Sequence, residues 1–249
     1  MGLGKTIQAL RLINATPEIK TILIVCPASL RLNWEREARK WLVRPLKIHV
    51  VNAPGPAPAD AEMIIVNYDR LSNSTLESLM ARHWGLLVVD ESHLVKNPQA
   101  LRTKRVLGSW DKKARQRIDG LIHRAQMKIF LTGTPILNRP IELHPLAAAL
   151  DPKQFGSFMS FAKRYCNAYE GKWGWDFSGA SHLDELQEKL RISFMVRRLK
   201  SEVLTELPAK RRQVIVLPTN GAQEAVDREN RAWGTYETQM EDAQAEADL

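Results

Sequence analysis

Four short runs of consecutive apolar residues constrain this chain more than any other feature: residues 21–26 (TILIVC), 63–66 (MIIV), 86–89 (LLVV) and 129–131 (IFL). A strand with one wet face alternates apolar and polar side chains, whereas an unbroken apolar run marks a strand covered on both faces, as in a parallel sheet. Between the runs the apolar spacing changes to that of a helix. Residues 5–14 align Ile7, Leu10 and Ile13, and residues 29–42 align Leu30, Trp34, Ala38 and Trp41. Residues 99–107 and 141–150 are further helix candidates. The alternation predicts an α/β fold, an open and mostly parallel sheet with helices on both faces.

The chain divides into three stretches. Residues 1–150 carry the strand–helix alternation, with a turn-rich connector at 53–58 (APGPAP). Beyond Asp151 the strand pattern stops, so residues 151–212 are expected to be a mainly helical extension. A Gly/Trp-rich loop at 171–179 interrupts it, and Leu207-Pro208 closes a helix. Residues 213–249 hold the rest of a short strand predicted over 212–217, then an acidic helical tail. Trp34, Trp41 and Trp84 are expected in the core. For Trp173 and Trp175, packing of the loop against its own domain is preferred to base stacking.

Charge is unevenly spread. The chain of 249 residues carries a formal +8, but from Ala222 onward eight carboxylates face only Arg228 and Arg231, so the tail is −6 and residues 1–221 carry +14. A basic body favours a polyanionic partner. Arg102, Lys104, Arg105, Lys112, Lys113, Arg115, Arg117, Arg124 and Lys128 crowd one region, which reads equally as a phosphate-tracking surface or a solvated helix face. The two cysteines, Cys26 and Cys166, have no Cys or His at metal-ligand spacing, which argues against zinc and a disulfide framework and fits a reducing interior. No apolar run is long enough to span a membrane, so no membrane partner is expected and the location expected is cytoplasmic.

Three short motifs carry chemistry. The first is MGLGKT, with Gly2, Leu3, Gly4, Lys5 and Thr6 at a helix start. Backbone N–H groups there can cradle phosphate, Lys5 can reach the β- and γ-phosphates of ATP, and the Thr6 hydroxyl can bind Mg²⁺. Alone, the same residues are equally a Gly-rich helix start with a solvated lysine. The second is VVDESH, where Asp90 and Glu91 follow a buried strand, the place where open α/β sheets bind ligands. Asp90 is assigned to the metal and Glu91 to activation of water. The third, LTGTP, puts Thr132, Gly133 and Thr134 after another strand and, taken singly, is an ordinary turn.

In order, MGLGKTIQAL, CPASLRLNWEREARKW, VNYDRL, VVDESHLVKN, LTGTPILNRPIEL and FMVRRLKSEVLTELPAKRR resemble the Swi/Snf-like ATPases of the superfamily-two helicases, double-stranded-DNA translocases, especially the annealing-helicase type with its bacterial and phage relatives. The resemblance implies a RecA-like first lobe with Gly2, Gly4, Lys5 and Thr6 in the ATP loop and residues 90–93 as a DExH-type box. His93 and Thr132–Thr134 would couple nucleotide state to DNA. It further implies DNA-facing roles for Pro27, Ser29, Asn67 and Tyr68, and DNA or inter-lobe contacts for Arg197, Arg198 and Lys200.

The resemblance also sets expectations about incompleteness. The family has a strand and an acidic pair before the loop, and a second RecA-like lobe that supplies an arginine finger. The expectation is therefore a first motor lobe from a bacterial nucleoid or a phage-infected cell, nearly inactive alone and needing a second lobe in cis or in trans. The alternative is a non-catalytic DNA- or partner-binding fragment.

Overall fold

The computed structural model describes residues 3–111, 113–134, 139–172, 174–198, 200–203, 206 and 222–247, with backbone only at 200–201, 222–223 and 237–247. Gly2, Lys112, Pro135, Trp173, the Leu207-Pro208 helix end and the strand expected at 212–217 lie outside the described residues. The chain forms two compact units, Met1–Lys200 and Ser201–Leu249.

In the first unit, α1 (Lys5–Ala15) leads to β1 (Ile22–Cys26), α2 (Arg31–Trp41), β2 (Ile48–Val50) and β3 (Met63–Asn67). Then come α3 (Asn73–Met80), β4 (Trp84–Asp90), α4 (Leu101–Leu107), a hairpin of β5 (Ser109–Asp111) and β6 (Gln116–Ile118), and β7 (Ala125–Leu131). The five longer-range strands pair in the order β2-β3-β1-β4-β7, every pair parallel. Ile24 in the middle strand sits opposite Ile65 on one side and Val88 on the other.

Register explains the unbroken apolar runs. Successive side chains point to opposite faces of a sheet. Leu23, Val25, Ile64, Val66, Leu87 and Val89 enter one buried cluster, with Leu79, Trp84 and Val106. Their neighbours Ile22, Ile24, Cys26, Met63, Ile65, Leu86 and Val88 enter the other, with Ala9, Leu10 and Ile13 from α1 and Trp34 and Ala38 from α2. Both faces are covered by helix, so neither tolerates polar positions. This is a RecA-like α/β sheet.

The helical extension follows as α5 (His144–Leu150), α6 (Pro152–Phe155), α7 (Phe158–Tyr165) and α8 (Leu183–Ser193), held by a cluster that includes Leu143, Ala147, Phe155, Phe161, Leu186 and Leu190. It is not purely helical. Across the start of the loop expected at 171–179 the chain makes an antiparallel hairpin, β8 (Tyr169–Gly171) with β9 (Gly174–Asp176). Three-residue strands are too short to show a period, which also hides β2 and the β5–β6 hairpin from sequence reading. The chain continues to α9 (Lys200–Val203), and the second unit carries α10 (Ala222–Ala247), the helix expected for the acidic tail. No described helix is long and apolar enough to cross a membrane.

Trp34 and Trp84 are buried, as expected, but Trp41 is 39% exposed. Trp41 closes α2, where its indole N–H donates to Glu37 one turn back and Lys40 lies over its ring. The ring therefore stays on the rim. Both cysteines are buried and unpaired.

Ile24→Ala should cost about 2–5 kcal/mol, because the site lies between two paired strands and cannot collapse. The check is a lowered urea midpoint with an unchanged denaturant slope.

Candidate functional site

A parallel sheet has a polarity, and here it gathers the motifs. Cys26, Asn67, Asp90 and Leu131 end β1, β3, β4 and β7, so the segments after them share one edge. The helix α1 precedes β1 and runs back against it, which brings its N-terminus, with Lys5 and Thr6, to that same edge. The β5–β6 hairpin precedes β7 and so stands at the opposite edge. The basic residues Lys113, Arg115 and Arg117 on and beside it are exposed there, away from the motif loops.

Asp90 is the best-anchored group. It is 4% exposed, and a buried carboxylate needs donors. The Trp34 indole Nε1–H donates to Oδ2 at 2.9 Å, and the Glu91 backbone N–H to Oδ1 at 2.9 Å. The Tyr68 hydroxyl donates to the Asp90 carbonyl at 2.6 Å. Burial and the Asp90 charge push the Tyr68 phenol upward from its usual range. The Cys26 thiol is pushed up to about 12, first by burial and then by Asp90.

Glu91 leaves the strand in the left-handed region, at φ 48° and ψ 50°, a conformation that costs a non-glycine residue on the order of 1–3 kcal/mol. The turn brings His93 Nδ1 to 3.2 Å from Glu91 Oε2. This contact is close but not aligned as a hydrogen bond, so that buried oxygen has no donor among the described residues. The same Nδ1 lies 3.3 Å from Thr132 Oγ1, which accepts the Thr134 N–H at 3.1 Å. Glu91, His93, Thr132 and Thr134 thus form a chain linking the ends of β4 and β7.

At the loop, Gly4 adopts φ 71° and ψ 32° with open space where a Cβ would stand. Among the described residues no side chain caps α1, and no acid stands in its first turn. Its N–H groups and positive end are therefore available to an anion. These features fit ATP with Mg²⁺. Thr6 and Asp90 offer hard oxygens, and Glu91 Oε2 is buried without a donor. Among the described residues no three His, Cys, Asp or Glu side chains gather as a cage. Mg²⁺ suits such a site, being held by few protein ligands together with phosphate oxygens and water.

The expected DNA-facing residues separate. Ser29 is exposed and Pro27 half-buried in the turn after β1. Tyr68 is 4% exposed, and its phenol is used internally to hold Asp90. Asn67 is buried too, its Oδ1 without a partner among the described residues. Arg197 and Arg198 are exposed, and Lys200 opens α9. Sequence reading placed Trp34 in the core without its role as the donor to Asp90. The residues lie far apart in the chain, and no spacing signal joins them.

The fold is that of a RecA-like lobe with the motif loops gathered at one edge of its sheet. The SNF2-related domain family model matches residues 1–246, and the chain belongs to that family. It is 36% identical over 223 residues to the SWI/SNF-related matrix-associated actin-dependent regulator of chromatin subfamily A-like protein 1 of Xenopus tropicalis, covering 89% of this chain and 22% of that protein. It is 40% identical over 227 residues to the DNA annealing helicase and endonuclease ZRANB3 of Mus musculus, covering 86% of this chain and 20% of that one. The chain thus spans about a fifth of the length of these relatives. Its fold is similar to the Sulfolobus solfataricus SWI2/SNF2 ATPase core in complex with dsDNA (TM-score 0.61, 27% identity), covering 84% of this chain and 41% of that one. These relatives are animal and archaeal, and they give the expected bacterial or phage type no support.

Trp34→Phe keeps the ring but removes the donor to Asp90. It should cost about 1.5–3 kcal/mol, the range for hydrogen bonds to charged groups, read as a lowered unfolding midpoint. A second effect follows from Cys26. Its thiol ionises at about 12 when folded against an ordinary 9.0. The unfolded chain therefore loses its proton first, and the stability involved is intact below pH 9 and falls as pH rises from 9 toward 12. Cys26→Ala should flatten that decline in alkaline denaturation curves.

Proposed function

We propose that the chain is the first motor lobe of a DNA-dependent ATPase that translocates on double-stranded DNA, of the annealing-helicase type. One observation carries the reading. The uncapped N-terminus of α1, with Lys5 and Thr6, shares a sheet edge with the buried Asp90 carboxylate and the unpartnered Glu91 oxygen.

In this reading Lys5 and the first N–H groups of α1 hold the phosphates, and Thr6 and Asp90 hold Mg²⁺. Bound ATP and Mg²⁺ supply the phosphoanhydride bond and the charge that offsets its breakdown. Glu91 Oε2 orients the attacking water and accepts its proton. His93, between Glu91 and Thr132, passes the state of that carboxylate to the loop at Thr132–Thr134. Duplex DNA lies along the same edge, near Pro27 and Ser29, with Arg197 and Arg198 as further contacts. A second RecA-like lobe completes the site, since an arginine finger contributes about 10³–10⁵ in rate.

The chain alone should bind ATP with Mg²⁺ yet hydrolyse it slowly, and a second-lobe polypeptide in trans should raise duplex-stimulated turnover. Lys5→Ala should abolish nucleotide binding, and Glu91→Gln should keep binding while losing turnover. Calorimetry and a phosphate-release assay read these outcomes. Duplex binding without nucleotide binding would instead establish a non-catalytic module. Rapid duplex-stimulated hydrolysis by the chain alone would overturn the need for a second lobe.

A further inference from the structure

Trp34 sits where three parts of the candidate site meet. Its ring is 1% exposed and shares a buried cluster with Ala9, Leu10 and Ile13 of α1. Packing alone keeps such a ring in place, but a buried indole N–H needs an acceptor. That acceptor is the carboxylate which the proposed function gives to Mg²⁺: Asp90 Oδ2, at 2.9 Å. With the Glu91 N–H on Oδ1 at 2.9 Å, each carboxylate oxygen has one donor fixed by the fold. The carboxylate cannot turn without losing one of them, so its remaining lone pairs meet a metal or its water from one direction.

Helix α2, which carries Trp34, is tied to the helix of the phosphate loop as well. Asn14, in the last turn of α1, donates from Nδ2 to the Trp41 carbonyl at 2.8 Å and accepts the Val43 N–H at 3.1 Å. At its other end α2 follows directly from the single turn Ala28–Leu30, where Ala28 and Ser29 are exposed at the motif edge. Arg31 braces that junction, donating from Nε to the Ala28 carbonyl at 3.4 Å and from its guanidinium to Asn52 Oδ1 at 3.3 Å. Ser29 and Trp34 are five residues apart in this helical run, about 8 Å along its axis. No loop lies between them to absorb a displacement. A shift of about 0.7 Å is enough to take a hydrogen bond of this length out of range.

We propose that Trp34 is a positioning residue for Mg²⁺, acting through Asp90, and that α2 makes its effect depend on the turn Ala28–Leu30. Duplex DNA seated on that turn holds α2, keeps the Trp34 N–H on Asp90, and so tightens the site on Mg²⁺ and nucleotide. That role rests on the reading of the chain as a DNA-dependent motor lobe.

The test uses calorimetry on the whole chain with ATPγS and a blunt duplex, well below the unfolding midpoint of each variant. Trp34→Phe should leave ATPγS affinity in EDTA unchanged. The gain in affinity that Mg²⁺ confers should fall by about tenfold or more, the scale for removing a group that orients a metal-binding carboxylate. Saturating duplex should tighten Mg²⁺·ATPγS binding to the unaltered chain by about fivefold or more. Trp34→Phe should show no such tightening, although its affinity for duplex without nucleotide stays the same. A tryptophan that only supports the fold would weaken binding alike in Mg²⁺ and in EDTA and leave the duplex effect in place, which would overturn the proposal. If Trp34→Phe folds poorly, the unaltered chain still decides: duplex that binds without changing Mg²⁺·ATPγS affinity overturns the proposal with the motor reading intact. An unaltered chain that binds no nucleotide, or no duplex, overturns both.

Discussion

The structure turns on a buried carboxylate at the end of a buried strand. Taking a charge out of water costs several kcal/mol even after relaxation, and the cost is met only by well-placed donors. Asp90 draws its donors from α2 through Trp34 and from its own following peptide, while Tyr68 after β3 fixes its carbonyl. Each of these ties a different segment to one point. Helix α2 cannot slide along the sheet without withdrawing Trp34, and the turn after β3 cannot open without releasing Tyr68. The stiffness of the edge therefore comes from the charge that it would otherwise be costly to keep.

Sheet polarity does the rest of the assembly. Residues separated by long stretches of chain come to one edge because every strand in the sheet points the same way and every crossover returns to the other edge. No long-range contact has to be specified for each motif. The same logic divides the basic residues, which sequence counting lumps together. Those on the β5–β6 hairpin belong to the far edge, and Arg117 there is engaged with His123. Burial first, then Arg117, lowers the His123 pKa.

What sequence could reveal followed from how strongly burial restricts composition. The runs in β1, β3 and β4 were legible because two covered faces forbid polar residues at both odd and even positions, whereas the run in β7 is only partly buried and follows the exposed Gln126, Met127 and Lys128. Helices α1 and α2 were legible from their apolar stripes. The short strands were not, since three residues cannot show an alternation. The polar tips of aromatic side chains were also hidden. Trp34 and Tyr68 are both buried, so composition describes each correctly as apolar, yet their N–H and O–H groups decide where Asp90 sits. Trp41, on the same helical stripe as Trp34, differs only in lying at the last turn, where its N–H finds Glu37. Residue type and period foretell which ring is covered, but the partner of its polar atom depends on the tertiary fold.

The link from Glu91 to Thr132 shows how such partnerships become functional under the proposed reading. His93 Nδ1 faces two oxygens at nearly equal distance, 3.2 Å to Glu91 and 3.3 Å to Thr132. A ring nitrogen has one proton to give, so a full hydrogen bond to one oxygen is made at the expense of the other. Glu91 Oε2 is buried with no aligned donor among the described residues, so under the proposed reading it is open to a water or a phosphate-bound group while the His93 ring stays against Thr132. Thr132 in turn accepts from the Thr134 N–H, so the three residues tie the end of β4 to the short loop after β7. The left-handed backbone of Glu91 is what turns the carboxylate back toward His93.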